Sequence, residues 1–141
     1  MPNIRNLQKK DASQVALLIP QLTQNIVEPE NLVKRIERLV NQKNSQFLVA
    51  DLDGKVVGFG GLVWYSIPSK GMMGWVEELV VDSQSRGQGI GRTLIDNLLK
   101  IALQKKIKQI ILKTANPIAK KLYEKIGFVK KEEDLLIRKY Y

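Results

Sequence analysis

The feature that most constrains the fold is a glycine-rich junction between a strand-like run and a helix-like run. Residues Trp75–Asp82 are rich in β-forming side chains, and from Ile90 onward apolar residues recur at helical spacing. Between them lies the segment Arg86–Arg92, in which every second residue from position 87 is glycine. Such glycines let successive N–H groups point into one concavity at a helix N-terminus, where the helix dipole adds positive potential. The junction therefore predicts a site for a phosphate group.

Two known phosphate-binding motifs do not match this segment. A P-loop would continue with Lys and then Ser or Thr, and a dinucleotide-binding motif would have its third glycine where Arg92 stands. On the segment alone, a glycine-rich connection that binds no ligand remains open.

The composition excludes several kinds of chemistry. The chain contains no His and no Cys, so triads built on His, cysteine nucleophiles and the usual zinc sites are all ruled out. Any catalysis must use carboxylates, Tyr, Lys, hydroxyls or backbone groups. We predict no metal site.

Length and charge narrow the class of protein further. With 141 residues, of which 44% are hydrophobic and 26% charged, the chain has the size and composition of one globular domain over residues 1–141. It has no apolar run of about 20 residues and no cationic leader at Met1–Lys10, so we expect a cytoplasmic protein without a membrane segment. The net charge is +9, and residues 100–141 hold 12 Lys or Arg against four acids. This excess attracts phosphates, whether of nucleic acid or of a nucleotide cofactor.

Periodicity predicts a mixed sheet with helices on both faces. Helices are expected after an N-cap at Asp11, from Pro29, from near Ile90 and from Pro117. The predicted strands are Ile4–Leu7, Gln46–Asp51, Lys55–Trp64, Trp75–Asp82, Ile107–Lys113, Phe128–Lys131 and Leu135–Tyr141.

Capping residues define the ends of several of these helices. Asp11 followed by Gln14 has the spacing of a capping box, and Pro20 should end or kink the first helix. Asn116 precedes Pro117 as an N-cap, and Gly127 is expected to stop the last helix.

Three segments together resemble the GNAT superfamily of acyl-CoA-dependent N-acetyltransferases. The run Arg86-Gly87-Gln88-Gly89-Ile90-Gly91 resembles that family's Q/R-x-x-G-x-G/A pattern. The preceding run Val76–Asp82 is similar to its fourth strand, and Asn116–Phe128 resembles its N-x-x-A-x-x-L-Y-x-x-x-G-F segment. The matches occur in the family's order and cover Val76–Phe128.

The resemblance implies a fold, an activity and a cofactor. The fold would be a mostly antiparallel α+β sheet that splays open between the fourth and fifth strands. The activity would be direct transfer of an acetyl group from acetyl-CoA to a primary amine. The cofactor-binding residues implied are Leu79, Val80 and Val81 for the pantetheine arm, then Arg86, Gly87, Gln88, Gly89, Ile90, Gly91 and Arg92 for the pyrophosphate, and Asn116 for the pantetheine or nucleotide end.

Acetyl transfer also needs a base, a proton donor and an oxyanion donor. The base would be Glu77 or Glu78. Strand alternation allows one of them easy access to the opening, and the family pattern favours Glu77. The same pattern makes Tyr123 the general acid, and the backbone N–H of Val80 or Val81 is the natural oxyanion donor. Without a cysteine no acyl-enzyme is expected.

Other functions stay open at this point. A non-catalytic acyl-CoA-binding regulatory domain would keep the loop without the chemistry, and a nucleic-acid-binding module would use the basic last third. The acceptor is unassigned among small-molecule amines, polyamines, antibiotic amino groups and protein amines. A homodimer also stays open. Candidate residues for an acceptor pocket are Trp64, Tyr65, Met72, Met73 and Trp75.

Overall fold

The computed structural model describes residues 1–140, which form one five-stranded sheet and four α-helices. Short 3-10 turns precede α1 and α2, and another follows β4. In chain order the elements are β1 (Asn3–Asn6), α1 (Ala12–Leu22), α2 (Leu32–Leu39), β2 (Ser45–Leu52), β3 (Lys55–Ile67), β4 (Gly71–Val81), α3 (Ile90–Gln104), β5 (Gln109–Ile111) and α4 (Pro117–Lys125).

The sheet confirms the predicted mixed topology. Its strands lie in the order β1-β2-β3-β4-β5, and the three pairs from β1 to β4 are antiparallel. Only β5 runs parallel to its neighbour β4, because α3 returns the chain to the same end of the sheet before β5 begins. The β2–β3 hairpin turns at Asp53 and Gly54, both with positive φ, as the Leu52-Asp53-Gly54 signal between the two predicted strands indicates.

Helices cover both faces of the sheet and enclose two apolar cores. On one face α1 and α2 pack over side chains that include Val15, Ile36 and Phe59. On the other face α3 packs over the sheet through Leu94, Ile95 and Leu98, and α4 adds partly buried side chains at its edge. Among residues 1–140, no helix is both long and apolar enough to cross a bilayer.

Strand β4 carries a bulge that separates its two halves. The β3–β4 register shifts between Phe59 and Gly61, and Glu78 on β4 has a φ of 57°. The two strands approach closely there, since a Cβ on Gly60 would lie 2.7 Å from the Leu79 side chain. Pairing of β4 with β5 stops at Trp75, whereas β4 continues to Val81. The predicted splay between the fourth and fifth strands is therefore present.

At the N-terminus, the predicted first helix is correct but its capping box is wrong. Asp11 makes no capping bond to α1; its carboxylate accepts two hydrogen bonds from Arg5, at 2.8 and 2.9 Å, and one from the N–H of Gln8. Gln14 instead accepts from the N–H of Val56 on β3, at 2.8 Å. Gln14 is thus used in a tertiary contact, and Asp11 caps the 3-10 turn before α1 while pairing with Arg5.

Pro20 does not end the first helix, so of the two predicted effects, an end or a kink, the end is wrong. It lies two residues before the last residue of α1, so its missing N–H removes only one of the final hydrogen bonds of the helix. The helix closes at Thr23, whose N–H donates to the carbonyl of Ile19.

The two predicted closing strands, Phe128–Lys131 and Leu135–Tyr141, are not present within the described residues. Residues 129–140 contain no strand, and their side chains are exposed, including Leu136 at 90%. The segment has β-like composition, but β5 is only three residues long and offers little ladder for a further strand. Tyr141 lies outside the described residues.

Candidate active site

The opening beside β4 exposes the backbone of its second half. Asp82 donates its N–H to Val57 on β3, at 2.8 Å. Because successive residues of a strand point their backbone groups in opposite directions, Val81 directs its own groups to the other edge, toward the opening. The Val81 carbonyl indeed accepts there from Nε of Arg86, at 3.0 Å. Side chains of Leu79, Val80 and Val81 meanwhile pack into the two cores, so the strand presents mainly backbone to the opening.

The glycine segment forms a curled loop at the N-terminus of α3. Gly87 and Gly89 have φ values of 80° and 83°, conformations that other residues adopt only with strain. A Cβ at either position would meet nothing within 4 Å, so an open space lies beside the loop. Ile90, Gly91 and Arg92 begin the helix, where the first N–H groups have no partner within the helix. These features fit a pyrophosphate.

The two arginines and Gln88 of the loop are placed at its rim. Gln88 is exposed, as are Arg86 and Arg92. The Arg92 guanidinium pairs with Asp96 one turn along α3, at 3.2 Å, while Arg86 is held against β4. Only Arg86 is thus anchored to the strand that borders the opening.

Helix α1 fixes the start of the loop through Gln21. Its side chain accepts from the N–H of Ser83 at 2.8 Å and donates to the carboxylate of Asp82 at 3.2 Å. The bond from Gln21 holds the pKa of Asp82 below its ordinary value. Gln21 was not predicted as a functional residue; its only sequence signal is that of a polar residue after Pro20 on an amphipathic helix.

The two adjacent acids of β4 differ in environment. Glu77 lines a pocket of about 470 Å³ together with Val63, Tyr65, Trp75 and Lys113. We call this the β4–β5 pocket, because it lies where those strands diverge.

Glu78 instead occupies the bulge, with a positive φ. Its side chain keeps contact with solvent, yet desolvation by surrounding atoms raises the pKa of its carboxyl group, and the negative charge of Glu77 raises it further. Within residues 1–140, no three acidic side chains gather closely enough to hold a metal ion.

The aromatic candidates for an acceptor pocket divide between the two faces of the sheet. Trp75 donates from Nε1 to the hydroxyl of Tyr65 at 3.1 Å, and both line the β4–β5 pocket. Trp64 packs against the other core, and Met73 is buried, so neither reaches that pocket. Lys113 does line the pocket. It was not predicted as a site residue, because nothing in the local sequence distinguishes a lysine after a strand from other surface lysines.

Tyr123 and Asn116 are both positioned by α4. The Tyr123 ring packs against Phe128 with centroids 5.9 Å apart and contacts the core beneath α3. Burial raises the pKa of its phenol above 10, so the group stays protonated at neutral pH. Asn116 caps the helix as predicted, with its side-chain oxygen accepting from the N–H groups of Ile118 and Ala119 at 2.9 and 3.3 Å.

Comparison with known proteins shows to which family this chain belongs. Residues 8–128 match the family model described as "Acetyltransferase (GNAT) family". The chain belongs to the GNAT family. A crystal structure of a Trypanosoma brucei acetyltransferase is similar over 98% of this chain and 99% of its own, with a TM-score of 0.83 and 25% identity. A ribosomal-protein-alanine N-acetyltransferase from Brucella melitensis gives a TM-score of 0.80 at 27% identity, covering 99% of this chain and 100% of its own.

Sequence relatives point to the same GNAT family. An uncharacterized N-acetyltransferase of Archaeoglobus fulgidus is 32% identical over 60% of each chain. Glucosamine 6-phosphate N-acetyltransferase 1 of Dictyostelium discoideum is 29% identical over 80% of this chain and 74% of its own. The chain thus spans between about two fifths and three quarters of the length of the first curated relatives it matches. Family membership supports the predicted fold, N-acetyltransferase activity and acetyl-CoA as cofactor.

Proposed function

We propose that this GNAT chain forms a single catalytic domain that transfers the acetyl group of acetyl-CoA directly to an amine, with both substrates bound at once. The observation that carries the proposal is the position of the opening beside β4. It is bordered by the glycine loop Arg86–Arg92 at one end and lies beside a pocket lined by Glu77. A nucleotide at the loop and an amine in the pocket would meet along the same strand.

The loop would hold the pyrophosphate through the N–H groups of Gly87, Gly89, Gly91 and Arg92. The helix dipole and Arg86 add positive potential at the same place. Gln88 and Ile90 complete the turn between these glycines. Along β4, backbone groups of residues 79–81 would pair with the pantetheine arm as a further strand does, and Val81 already points its groups that way.

When bound, acetyl-CoA supplies an activated acyl carbon: a C–N bond to the amine forms, the C–S bond breaks, the amine loses a proton and the thiolate gains one. Glu77 would accept the amine proton, directly or through a water, since it lines the pocket. Glu78 remains the alternative base, and its raised pKa makes it a better proton acceptor than an ordinary carboxylate.

Tyr123 would return a proton to the departing thiolate. Its pKa lies above 10, so the phenol is available as a donor across the neutral range. The oxyanion would be stabilised by a backbone N–H of β4. Of the two donors predicted, Val81 fits better than Val80, because Val80 alternates toward β3.

Relatives support an amine acceptor without fixing its identity. Similar chains include glucosamine 6-phosphate N-acetyltransferases and an amino-acid acetyltransferase of Mycobacterium tuberculosis. A non-catalytic acyl-CoA-binding domain would not require the proposed acid and base, and a specific nucleic-acid function finds no support in these relatives. A cytoplasmic location and a homodimer stay predictions.

The proposal is tested with thiol release from acetyl-CoA in the presence of an amine, measured against pH. Most of an amine acceptor is protonated near neutral pH, so Glu77→Gln should slow turnover and steepen its pH dependence, with partial recovery as rising pH deprotonates the amine. Glu78→Gln is the matched control. If only the Glu78 variant recovers activity at high pH, the base is Glu78 and not Glu77. If the parent protein binds coenzyme A but acetylates no amine, the proposal of catalysis is wrong.

A further inference from the structure

The β4–β5 pocket contains two opposite charges that do not neutralise each other. Glu77 and Lys113 both line it, and within the described residues neither forms an ion pair with the other. A pocket that keeps one carboxylate and one ammonium apart fits a ligand with the reverse arrangement of charges.

The diverging strands hold these two charges apart. Trp75 and Ile111 are the last paired residues of β4 and β5, and Glu77 and Lys113 each follow two positions later. Strand alternation places Glu77 on the face of Trp75, and Lys113, just past the end of β5, lies on that face because its ammonium sits over the Trp75 ring. Beyond the last pair the strands separate, which leaves room for a ligand between the carboxylate and the ammonium.

An aromatic wall keeps Lys113 in place. Its Nζ lies 5.7 Å from the centroid of the Trp75 ring, a cation–π distance, and the Trp75 indole is itself fixed by its bond to Tyr65. The ammonium is thus held at the pocket while its N–H donors remain available. Val63 and the two rings provide apolar surface in the same open pocket, whose volume of about 470 Å³ is sufficient for a small molecule.

We propose that the acceptor carries an anionic group, a carboxylate or a phosphate, beside its amine, and that Lys113 binds that anion while Glu77 faces the amine. This inference rests on the proposed acetyl transfer and specifies its substrate class. The same arrangement disfavours polyamines and polycationic antibiotics, because their second ammonium would approach Lys113. The chain's net charge of +9 acts in the same direction.

The test compares matched acceptors in the same thiol-release assay. Phosphoethanolamine, ethanolamine and ethylenediamine differ only in the group beside the amine, and β-alanine against its amide provides a second pair for carboxylates. We expect kcat/KM for at least one anionic amine to exceed that for its neutral partner by about tenfold or more, and ethylenediamine to be the poorest acceptor. The two pairs distinguish a phosphate from a carboxylate.

Variants then assign the preference to Lys113. Lys113→Gln should remove most of the advantage of the anionic amine over its neutral partner, chiefly by raising KM for the anionic amine. The matched control is Lys105→Gln. Like Lys113, Lys105 has its Nζ over a tryptophan ring, 5.4 Å from the centroid of Trp64, but Trp64 packs on the opposite face of the sheet. A binding titration of the anionic amine to the coenzyme A complex should show the same loss of affinity for Lys113→Gln alone.

Two outcomes would overturn the inference in different ways. Equal use of anionic, neutral and cationic amines, or an anion preference unchanged in Lys113→Gln, would reject the role of Lys113 and leave acetyl transfer standing. Failure of every amine in a protein that still binds coenzyme A would reject the proposed function and this inference with it.

Discussion

Gly89 has a left-handed φ and open space around it, so its role is to shape the loop rather than to avoid a clash. Gly89→Glu should weaken coenzyme A binding by more than tenfold, because a carboxylate would face the pyrophosphate and the backbone would be strained by about 1 kcal/mol. Gly54→Glu is a matched control, since Gly54 also has a positive φ with nothing within 4 Å and lies in the distant β2–β3 turn. Equal affinity of the Gly89 variant and parent in a calorimetric titration would reject the phosphate site.

Tyr123 combines a partly buried ring with a phenol proposed as the acid. Tyr123→Phe keeps the contact with Phe128, so coenzyme A affinity should change less than about twofold while kcat falls by roughly a hundredfold. Because burial raises the pKa of this phenol above its ordinary value, the parent should lose no activity through its deprotonation across the neutral range. Tyr140→Phe, at an exposed position, is the control. An unchanged kcat in a step limited by chemistry would make Tyr123 a packing residue.

Between elements, a buried charge cluster ties the entrance of α1 to the sheet edge. Arg5 on β1 bonds to Asp11 before α1 and to Asp51 on β2, and Asp11 is only 2% exposed. Burial alone would raise the pKa of Asp11, but the bonds from Arg5 and from the Gln8 N–H outweigh it and lower the pKa. The cluster should therefore stabilise the fold above about pH 4, the ordinary pKa of Asp, and progressively less as pH falls below it.

Removing the arginine tests this cluster. Arg5→Met should lower the free energy of unfolding by on the order of 3 kcal/mol at pH 7, because the Asp11 carboxylate would stay buried without its partner. The deficit should shrink at pH 3.5, because without Arg5 burial raises the pKa of Asp11 in the variant and its carboxyl group is then protonated. Urea unfolding at pH 7 and pH 3.5 measures both, with Arg92→Met of the exposed pair with Asp96 as the control expected to lose less than about 1 kcal/mol. A pH-independent deficit would contradict the assignment.

Local sequence signals predicted those turns and helix ends that are determined by neighbouring residues in the chain. The hairpin at Asp53 and Gly54, the cap at Asn116 and the glycine loop before α3 all follow from short-range rules. Asp11 and Gln14 have a valid capping pattern, yet both side chains bind partners that are distant or outside the helix. The prediction of two terminal strands was wrong for a related reason. A strand needs a neighbouring strand to pair with, and the periodicity of the sequence does not show whether one is present.

At the scale of the whole molecule, the site depends on the divergence of β4 and β5. Sequence motifs do not specify which side chains this divergence brings to the pocket. The motifs from Val76 to Phe128 predicted the loop, the acids and the family, and the family model confirms the last of these. Lys113 and Gln21 escaped prediction because their importance arises from the divergence of β5 and the packing of α1. The individual site roles stay predictions.

The most direct test of the account is a crystal structure of the protein with coenzyme A. We expect the pyrophosphate oxygens within about 3 Å of the amide nitrogens of the loop Arg86–Arg92, and the pantetheine arm paired with the backbone at Val81. The thiol should end beside the β4–β5 pocket, within reach of Tyr123. A coenzyme A held instead by surface lysines of residues 100–140, with the opening beside β4 empty, would contradict the central claim.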